Sequence, residues 1–212
     1  MGRTAFLLLC AVAVATAADA VEEAAEDAID DAVSFYEQPI NERRILLVLD
    51  HSRSMLSQVD GQTRLTRLRA EVQTFLGRLN DAHYIDVHCF NDRLATWRRK
   101  LEPATERNVK SATAFILRQP ARGRTATYDA LQSALVEAAD QAVERIIFVT
   151  DGHPTVGTVI DPAEILERLR LQNAPLGVPI DVLAYDTSHH PARDRFLRTL
   201  AGDHRGRYVQ LD

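Results

Sequence analysis

The fold is decided by one stretch near the start of the chain, Arg43-Arg44-Ile45-Leu46-Leu47-Val48-Leu49-Asp50-His51-Ser52-Arg53-Ser54-Met55. Five consecutive Ile, Leu and Val residues between Arg44 and Asp50 are typical of a strand buried on both faces of a parallel sheet. Asp50, Ser52 and Ser54 follow where the chain leaves that strand. Because open α/β sheets bind ligands at the carboxyl ends of their strands, these three oxygen-bearing side chains predict a site for a hard cation.

The rest of the chain alternates strands with helices. The residue patterns predict further strands at 83–90, 94–97, 146–150, 180–185 and 207–211. They predict helices at 64–80, 103–118 and 191–200, with two more beginning at Thr127, as N-cap, and at Asp161-Pro162. We therefore expect an α/β fold, a doubly wound and mostly parallel six-stranded sheet with helices on both faces. Residues 94–97 form its one short antiparallel edge strand.

Oxygen donors recur at the same edge of the predicted sheet. The strand at 146–150 ends in Asp151, and the loop before the Thr127 helix carries a second hydroxyl at Thr125. Carboxylates combined with Ser and Thr hydroxyls suit Mg²⁺, which prefers oxygen ligands, and they suit Zn²⁺ poorly. A cation held mainly by neutral hydroxyls keeps a strong positive field that attracts a further carboxylate. The pattern leaves open whether Thr125 or Thr127 is the ligand.

Three segments together resemble the von Willebrand factor type A (VWA) domain family with its metal-ion-dependent adhesion site. They are Asp50-His51-Ser52-Arg53-Ser54, Gly123-Arg124-Thr125-Ala126-Thr127 and Val149-Thr150-Asp151-Gly152. The resemblance covers residues 43–211 and implies a Rossmann-like VWA fold. It also implies that the protein is not an enzyme. One departure is Ala121-Arg122, where many relatives place a second glycine before the threonine.

The resemblance also implies roles for individual residues. The implied metal ligands for Mg²⁺ or Mn²⁺ are Asp50, Ser52, Ser54, Thr125 and Asp151. The implied partner is a protein that offers a Glu or Asp to the metal. His51, Arg53 and His153 would form the rim around the ligand, although the two histidines also fit solvated loop positions.

Charge divides the chain into an acidic lead-in and a nearly neutral domain. Residues 21–41 carry seven acids and no base, whereas from Glu42 onward 24 Lys and Arg balance 22 Asp and Glu. A nucleic-acid-binding protein would need a concentrated basic face, so this balance argues against that class. We interpret 21–41 as a weakly ordered linker and 42–212 as the VWA domain.

The first twenty residues have the pattern of a cleaved export signal. Arg3 precedes an apolar run of about ten residues, and Ala15-Thr16-Ala17 provides small residues for cleavage. We expect a periplasmic or secreted protein with no membrane span after cleavage. Cys89 would then be the single cysteine, without a disulfide and buried as a small apolar residue.

The function predicted from these patterns is capture of a protein ligand through a divalent cation. One alternative is a serine or metal-assisted hydrolase that uses Ser52, His153 and Asp151, although the Gly-x-Ser-x-Gly turn is missing. The other alternative is a structural VWA domain that scaffolds an envelope complex.

Overall fold

The computed structural model describes residues 33–211. The predicted signal at 1–20 and most of the acidic lead-in lie outside the described residues. Within the lead-in, β1 (Ser34–Phe35) pairs antiparallel with β2 (Gln38–Pro39) in a small hairpin that the sequence did not predict. The chain divides after Asn41, and a second compact unit begins at Glu42.

The second unit is built on one mixed sheet and a separate small hairpin. Its strands are β3 (Arg44–Asp50), β4 (Gln58–Val59), β5 (Gln62–Thr63), β6 (Tyr84–Phe90), β7 (Leu94–Thr96), β8 (Glu102–Pro103), β9 (Arg145–Thr150), β10 (Ile180–Tyr185) and β11 (Tyr208–Leu211). The sheet order is β11-β10-β9-β3-β6-β7, and β8 also pairs with β6. Strands β11 to β6 in this order are parallel, while β7 and β8 run antiparallel to β6. The predicted sheet is confirmed, and the two-residue strand β8 is an addition to it.

Helices flank this sheet as predicted, except that the helix expected from residue 103 begins only at Glu106, because Pro103 lies in β8 and Thr105 is the N-cap. They are α1 (Arg64–Arg78), α2 (Glu106–Arg118), α3 (Thr127–Gln141), α4 (Pro162–Asn173) and α5 (Pro191–Asp203), with a short 3-10 helix at Arg53–Leu56. Asp161 caps α4 by accepting a hydrogen bond from Glu164 N–H, and Pro162 supplies the first helical residue. The prediction for α3 was one residue late, because Ala126 is its N-cap and Thr127 lies inside the helix.

The core lies against both faces of the central strands. Leu46 and Val48 of β3 belong to a buried apolar cluster that includes residues of α3, α4 and α5. Side chains alternate along a strand, so Leu47 and Leu49 point to the opposite face. Cys89 is buried, as predicted. Among residues 33–211, the helices are all too short or too polar to span a bilayer.

Candidate metal-binding site at the strand ends

The carboxyl ends of β3 and β9 bring two predicted ligand segments into direct contact. Ser54 Oγ donates a hydrogen bond to Asp151 Oδ1 at 2.6 Å and lies 3.0 Å from Ser52 Oγ. The two strands are parallel neighbours, so their carboxyl ends lie side by side. Ser52 is buried and Ser54 is exposed. The hydroxyls of Ser52 and Ser54 therefore extend from the buried strand end to the surface, next to the Asp151 carboxylate.

Asp50 is fully buried at the end of β3. Its Oδ1 accepts a hydrogen bond from Ser52 N–H at 2.7 Å, and its Oδ2 accepts one from the Thr150 hydroxyl at 2.6 Å. Burial and the nearby Asp151 carboxylate raise the pKa of Asp50 to about 7, against the opposing effect of these hydrogen bonds. Two acids so placed repel each other, so this region favours added positive charge.

Thr125 completes the group from the loop before α3. A Cβ atom at Gly152 would lie 2.9 Å from Thr125 Oγ1 and 3.3 Å from Asp50 Oδ2, so only glycine permits this approach. The Thr125 backbone is fixed by Thr155, whose hydroxyl accepts from Thr125 N–H at 3.0 Å and whose N–H donates to Thr125 O at 3.0 Å. The Thr125 hydroxyl and the Asp50 carboxylate therefore share one neighbourhood.

Four of the five predicted ligands line one cavity of about 410 Å³, namely Ser52, Ser54, Thr125 and Asp151. The fifth, Asp50, adjoins this wall by accepting the hydrogen bond from Ser52 N–H. We call these five residues the strand-end site. Thr127, the alternative hydroxyl, is buried at the start of α3, and its Oγ1 has no hydrogen-bond partner within residues 33–211. The geometry thus favours Thr125 over Thr127.

Two charged residues outside the predicted ligand set, Arg64 and Asp186, also line this cavity. Arg64 Nη1 lies 2.6 Å from Asp151 Oδ2, and Arg64 Nη2 lies 2.6 Å from Asp186 Oδ2. Asp186 directly follows β10, so its position repeats the strand-then-acid pattern of Asp50 and Asp151 and could have been predicted. Arg64, the first residue of α1, carries no comparable signal. The guanidinium gives Asp151 a positive partner that a metal ion would have to share or displace.

The three predicted rim residues have different positions. His153 is exposed and lines the cavity, and the Arg53 side chain is exposed on the 3-10 helix. His51 is instead only 1% exposed and lies against a second cavity, together with Cys89. Burial lowers the pKa of His51 to about 4. The expectation of a solvated histidine at 51 is therefore corrected, because the chain turns this side chain inward after β3.

Comparison with known proteins supports the family resemblance over the strands that carry this site. A sequence model of the von Willebrand factor type A domain matches residues 45–153, just over half of the chain. Inter-alpha-trypsin inhibitor heavy chain H4 of Bos taurus is 31% identical over 137 residues, covering 60% of this chain and 14% of that protein. The chain therefore spans only a small part of that relative's length.

Solved structures show the same fold at low sequence identity. A von Willebrand factor type A protein from Catenulispora acidiphila superposes with a TM-score of 0.66 at 18% identity, covering 82% of this chain and 39% of that chain. The manganese-loaded TRAP protein of Plasmodium vivax superposes with a TM-score of 0.55 at 16% identity, covering 79% and 67%. At these identities the similarity concerns the fold alone.

Proposed function

The chain belongs to the von Willebrand factor type A domain family, and we propose that it is an exported, non-enzymatic module that captures a protein partner through a divalent cation. The cation would be Mg²⁺ or Mn²⁺, held by Asp50, Ser52, Ser54, Thr125 and Asp151. The observation that carries this proposal is the hydrogen bond from Ser54 to Asp151. It joins the first and third sequence segments at one sheet edge, beside Thr125 of the second.

The donor set fits a hard cation. All five side chains offer oxygen, the donor type that Mg²⁺ and Mn²⁺ prefer, and the set contains no nitrogen or sulfur. The mutual repulsion of Asp50 and Asp151, which contributes to the raised pKa of Asp50, would be relieved by a positive ion. When bound, the ion supplies a Lewis-acidic position for a carboxylate. The manganese found in the Plasmodium vivax protein supports the choice of metal.

The cavity wall favours an acidic partner. Arg64, Arg124 and Arg193 line it together with His153. Arg64 already pairs with Asp151 and Asp186, so we expect Arg124 and Arg193 to attract the partner's charge. The exposed Ser54 marks the side from which a Glu or Asp side chain would enter. We infer a protein partner because such a side chain needs a surface around it to give specificity, and a nearly neutral domain does not suit nucleic acid.

The hydrolase alternative lacks a histidine base at the serines. Among the described residues, the Ser52 hydroxyl contacts Ser54, and Ser54 contacts Asp151, so neither hydroxyl is hydrogen-bonded to a histidine. A serine nucleophile needs such a base within hydrogen-bond reach. The scaffold alternative differs from our proposal only in requiring no cation, so metal binding separates the two.

We further propose export to the periplasm or the medium, on the pattern of residues 1–20. Fusing residues 1–41 to a reporter that is active only outside the cytoplasm tests this point. Activity that disappears when Leu7-Leu8-Leu9 is replaced by charged residues supports export. Equal activity of the two fusions contradicts it.

The metal proposal is tested by titrating Mg²⁺ and Mn²⁺ into the wild type, Ser54→Ala and Ser57→Ala by calorimetry. Ser57 lines the same cavity but is outside the donor set, so it is the matched control. We expect Ser54→Ala to weaken binding about tenfold or more, as changes close to a bound metal commonly do. Ser57→Ala should bind like the wild type. Equal affinity of all three proteins contradicts the assigned site.

Partner capture is tested with the same variants immobilised and exposed to native envelope extract and culture medium. We expect a protein that elutes with EDTA from the wild type and Ser57→Ala, and that Ser54→Ala does not retain. If metal binding is lost in Ser54→Ala while the captured protein is unchanged, the partner does not use the cation and the scaffold alternative gains support.

A further inference from the structure

A second group of ionisable side chains lies between β6 and α3. Asp86 and His88 are two residues apart on β6 and therefore face the same side of the sheet. Glu137 reaches them from α3, with its Oε2 at 2.9 Å from His88 Nε2. His88 Nε2 is 3.9 Å from Asp86 Oδ2. We call these three residues the Asp86–His88–Glu137 cluster.

The cluster is enclosed, and its hydrogen bonding is incomplete. Asp86 is 0% exposed, His88 is 1% exposed and Glu137 is 7% exposed. Asp86 Oδ1 accepts from Arg98 N–H at 3.0 Å. Three polar atoms, namely Asp86 Oδ2, His88 Nδ1 and Glu137 Oε1, have no hydrogen-bond partner among the described residues. Buried polar groups are normally paired, so the two unpaired carboxylate oxygens, Asp86 Oδ2 and Glu137 Oε1, point to a missing binding partner.

The charge of the cluster indicates what that partner is. The Asp86 and Glu137 carboxylates are both buried on either side of His88 Nε2, so their negative charges repel each other unless a positive charge lies between them. A divalent cation beside two carboxylates and a neutral imidazole gives an electroneutral group. The free Nδ1 can carry the ring proton, which leaves the Nε2 lone pair for a metal ion.

We propose that Asp86, His88 and Glu137 bind a Zn²⁺ ion. One donor atom from each residue can be chosen so that all three lie within 4.8 Å of one another. Donors around a tetrahedral Zn²⁺ with bonds of about 2.0–2.2 Å lie roughly 3.3–3.6 Å apart, between the two separations measured from His88. Small side-chain rotations therefore bring the three atoms to bonding distance, and Glu137 Oε1 is available as a further donor.

The imidazole separates this cluster from the strand-end site in metal preference. A nitrogen donor suits Zn²⁺, whereas Mg²⁺ is bound almost entirely through oxygen. The inference does not depend on the function proposed above, because the two groups of residues share no ligand. His88 pairs in register with Val48, two residues before Asp50 along the neighbouring strand.

The test is a Zn²⁺ titration of the full chain in excess Mg²⁺, followed by calorimetry and by NMR of the histidine rings. The variant is Glu137→Gln, which keeps the size and one oxygen and is therefore suited to preserving the fold. Asp140→Asn is the matched control, since Asp140 is exposed on the same helix. His189→Ala controls for the exposed histidines near His153, and Ser54→Ala controls for the strand-end site.

We expect one equivalent of Zn²⁺ to bind the wild type and all three controls, with a shift of the His88 ring signals. Glu137→Gln should bind Zn²⁺ about tenfold to a hundredfold more weakly. The proposal is overturned if the wild type binds no Zn²⁺ under these conditions. It is also overturned if Glu137→Gln binds like the wild type, or if His189→Ala or Ser54→Ala abolishes the binding.

Discussion

The strand-end site and the Asp86–His88–Glu137 cluster include residues of the neighbouring parallel strands β3 and β6. Both contain two carboxylates, but one is open to solvent and the other is buried. The first combines two carboxylates with three hydroxyls and opens into a cavity of about 410 Å³. The second combines two carboxylates with one imidazole and is almost completely buried. An open site can exchange ligands with a partner, whereas an enclosed one must be neutralised from within.

This difference teaches that position along the strand determines accessibility. Asp50 and Asp151 come at or after the last residue of their strands, where the chain leaves the sheet and loops leave room for a ligand. Asp86 and His88 sit in the middle of β6, and α3 covers them. The same residue type therefore lies beside a solvent-open cavity in one place and takes part in an internal charge balance in the other.

The largest expected effect comes from replacing His88 with leucine in the metal-free protein. The change removes the hydrogen-bond partner of the Glu137 carboxylate and leaves Glu137 beside the buried Asp86 with only an apolar side chain between them. Breaking a buried pair in this way typically destabilises a protein by about 3–5 kcal/mol. Urea unfolding at neutral pH in EDTA measures it, with Ser54→Ala as the comparison at the open site. There we expect a loss of about 1 kcal/mol, because Asp151 keeps Arg64 as a partner. Similar losses of unfolding free energy for both variants would contradict the proposed difference between the buried cluster and the open site.

The sequence predicted the strand-end residues because each of them stands out from its neighbours in the chain. Asp50, Ser52 and Ser54 interrupt an apolar run, and Asp151 follows another. The fold follows for the same reason, since buried parallel strands have continuous apolar segments. Asp186 repeats this pattern after β10, so its place at the same edge of the sheet could also have been predicted.

The cluster gives no such signal. Asp86 and His88 alternate with apolar residues along β6, which is also the pattern of a strand with one solvated face. Glu137 is 49 residues away from His88 in the chain and lies on a mostly apolar helix, where one acid is easily taken for a solvent-facing residue. Only the packing of α3 on β6 brings them together. The burial of His51 could not be predicted from the sequence either, because a histidine that follows a strand is compatible with both an exposed and a buried position.

The second prediction concerns pH and the open site. In the metal-free fold the pKa of Asp50 is raised from 3.8 to about 7. Its contribution to stability is therefore fully present below the unfolded value and is lost as the pH rises through about 7. Asp50→Asn has no such loss, so its advantage over the wild type should grow between pH 4 and 7 and then level off.

We expect the Asp50→Asn advantage at pH 8 in EDTA to be on the order of 1–2 kcal/mol, allowing for the hydrogen bonds that the amide reproduces poorly. Chemical unfolding at pH 5 and pH 8 measures it, and excess Mg²⁺ should reverse the order at pH 8 by stabilising only the wild type. A constant difference across this pH range would mean that burial and the Asp151 carboxylate do not raise the pKa of Asp50.

The smallest effect is expected from a change at Arg64. This residue pairs with an acid of the strand-end site from within the protein, as His88 does in the cluster. Its guanidinium occupies Asp151 Oδ2 and bridges to Asp186, so it already neutralises part of the charge that a cation would meet. Arg64→Gln removes this competing charge, and we expect Mg²⁺ to bind about threefold to tenfold more tightly, roughly 1 kcal/mol. Arg124→Gln, in the same cavity, should change the affinity less. Calorimetric titration compares the three proteins. Weaker Mg²⁺ binding by Arg64→Gln would instead make Arg64 a positioning residue that holds Asp151 in place, and the open site would then depend on internal pairing as the cluster does.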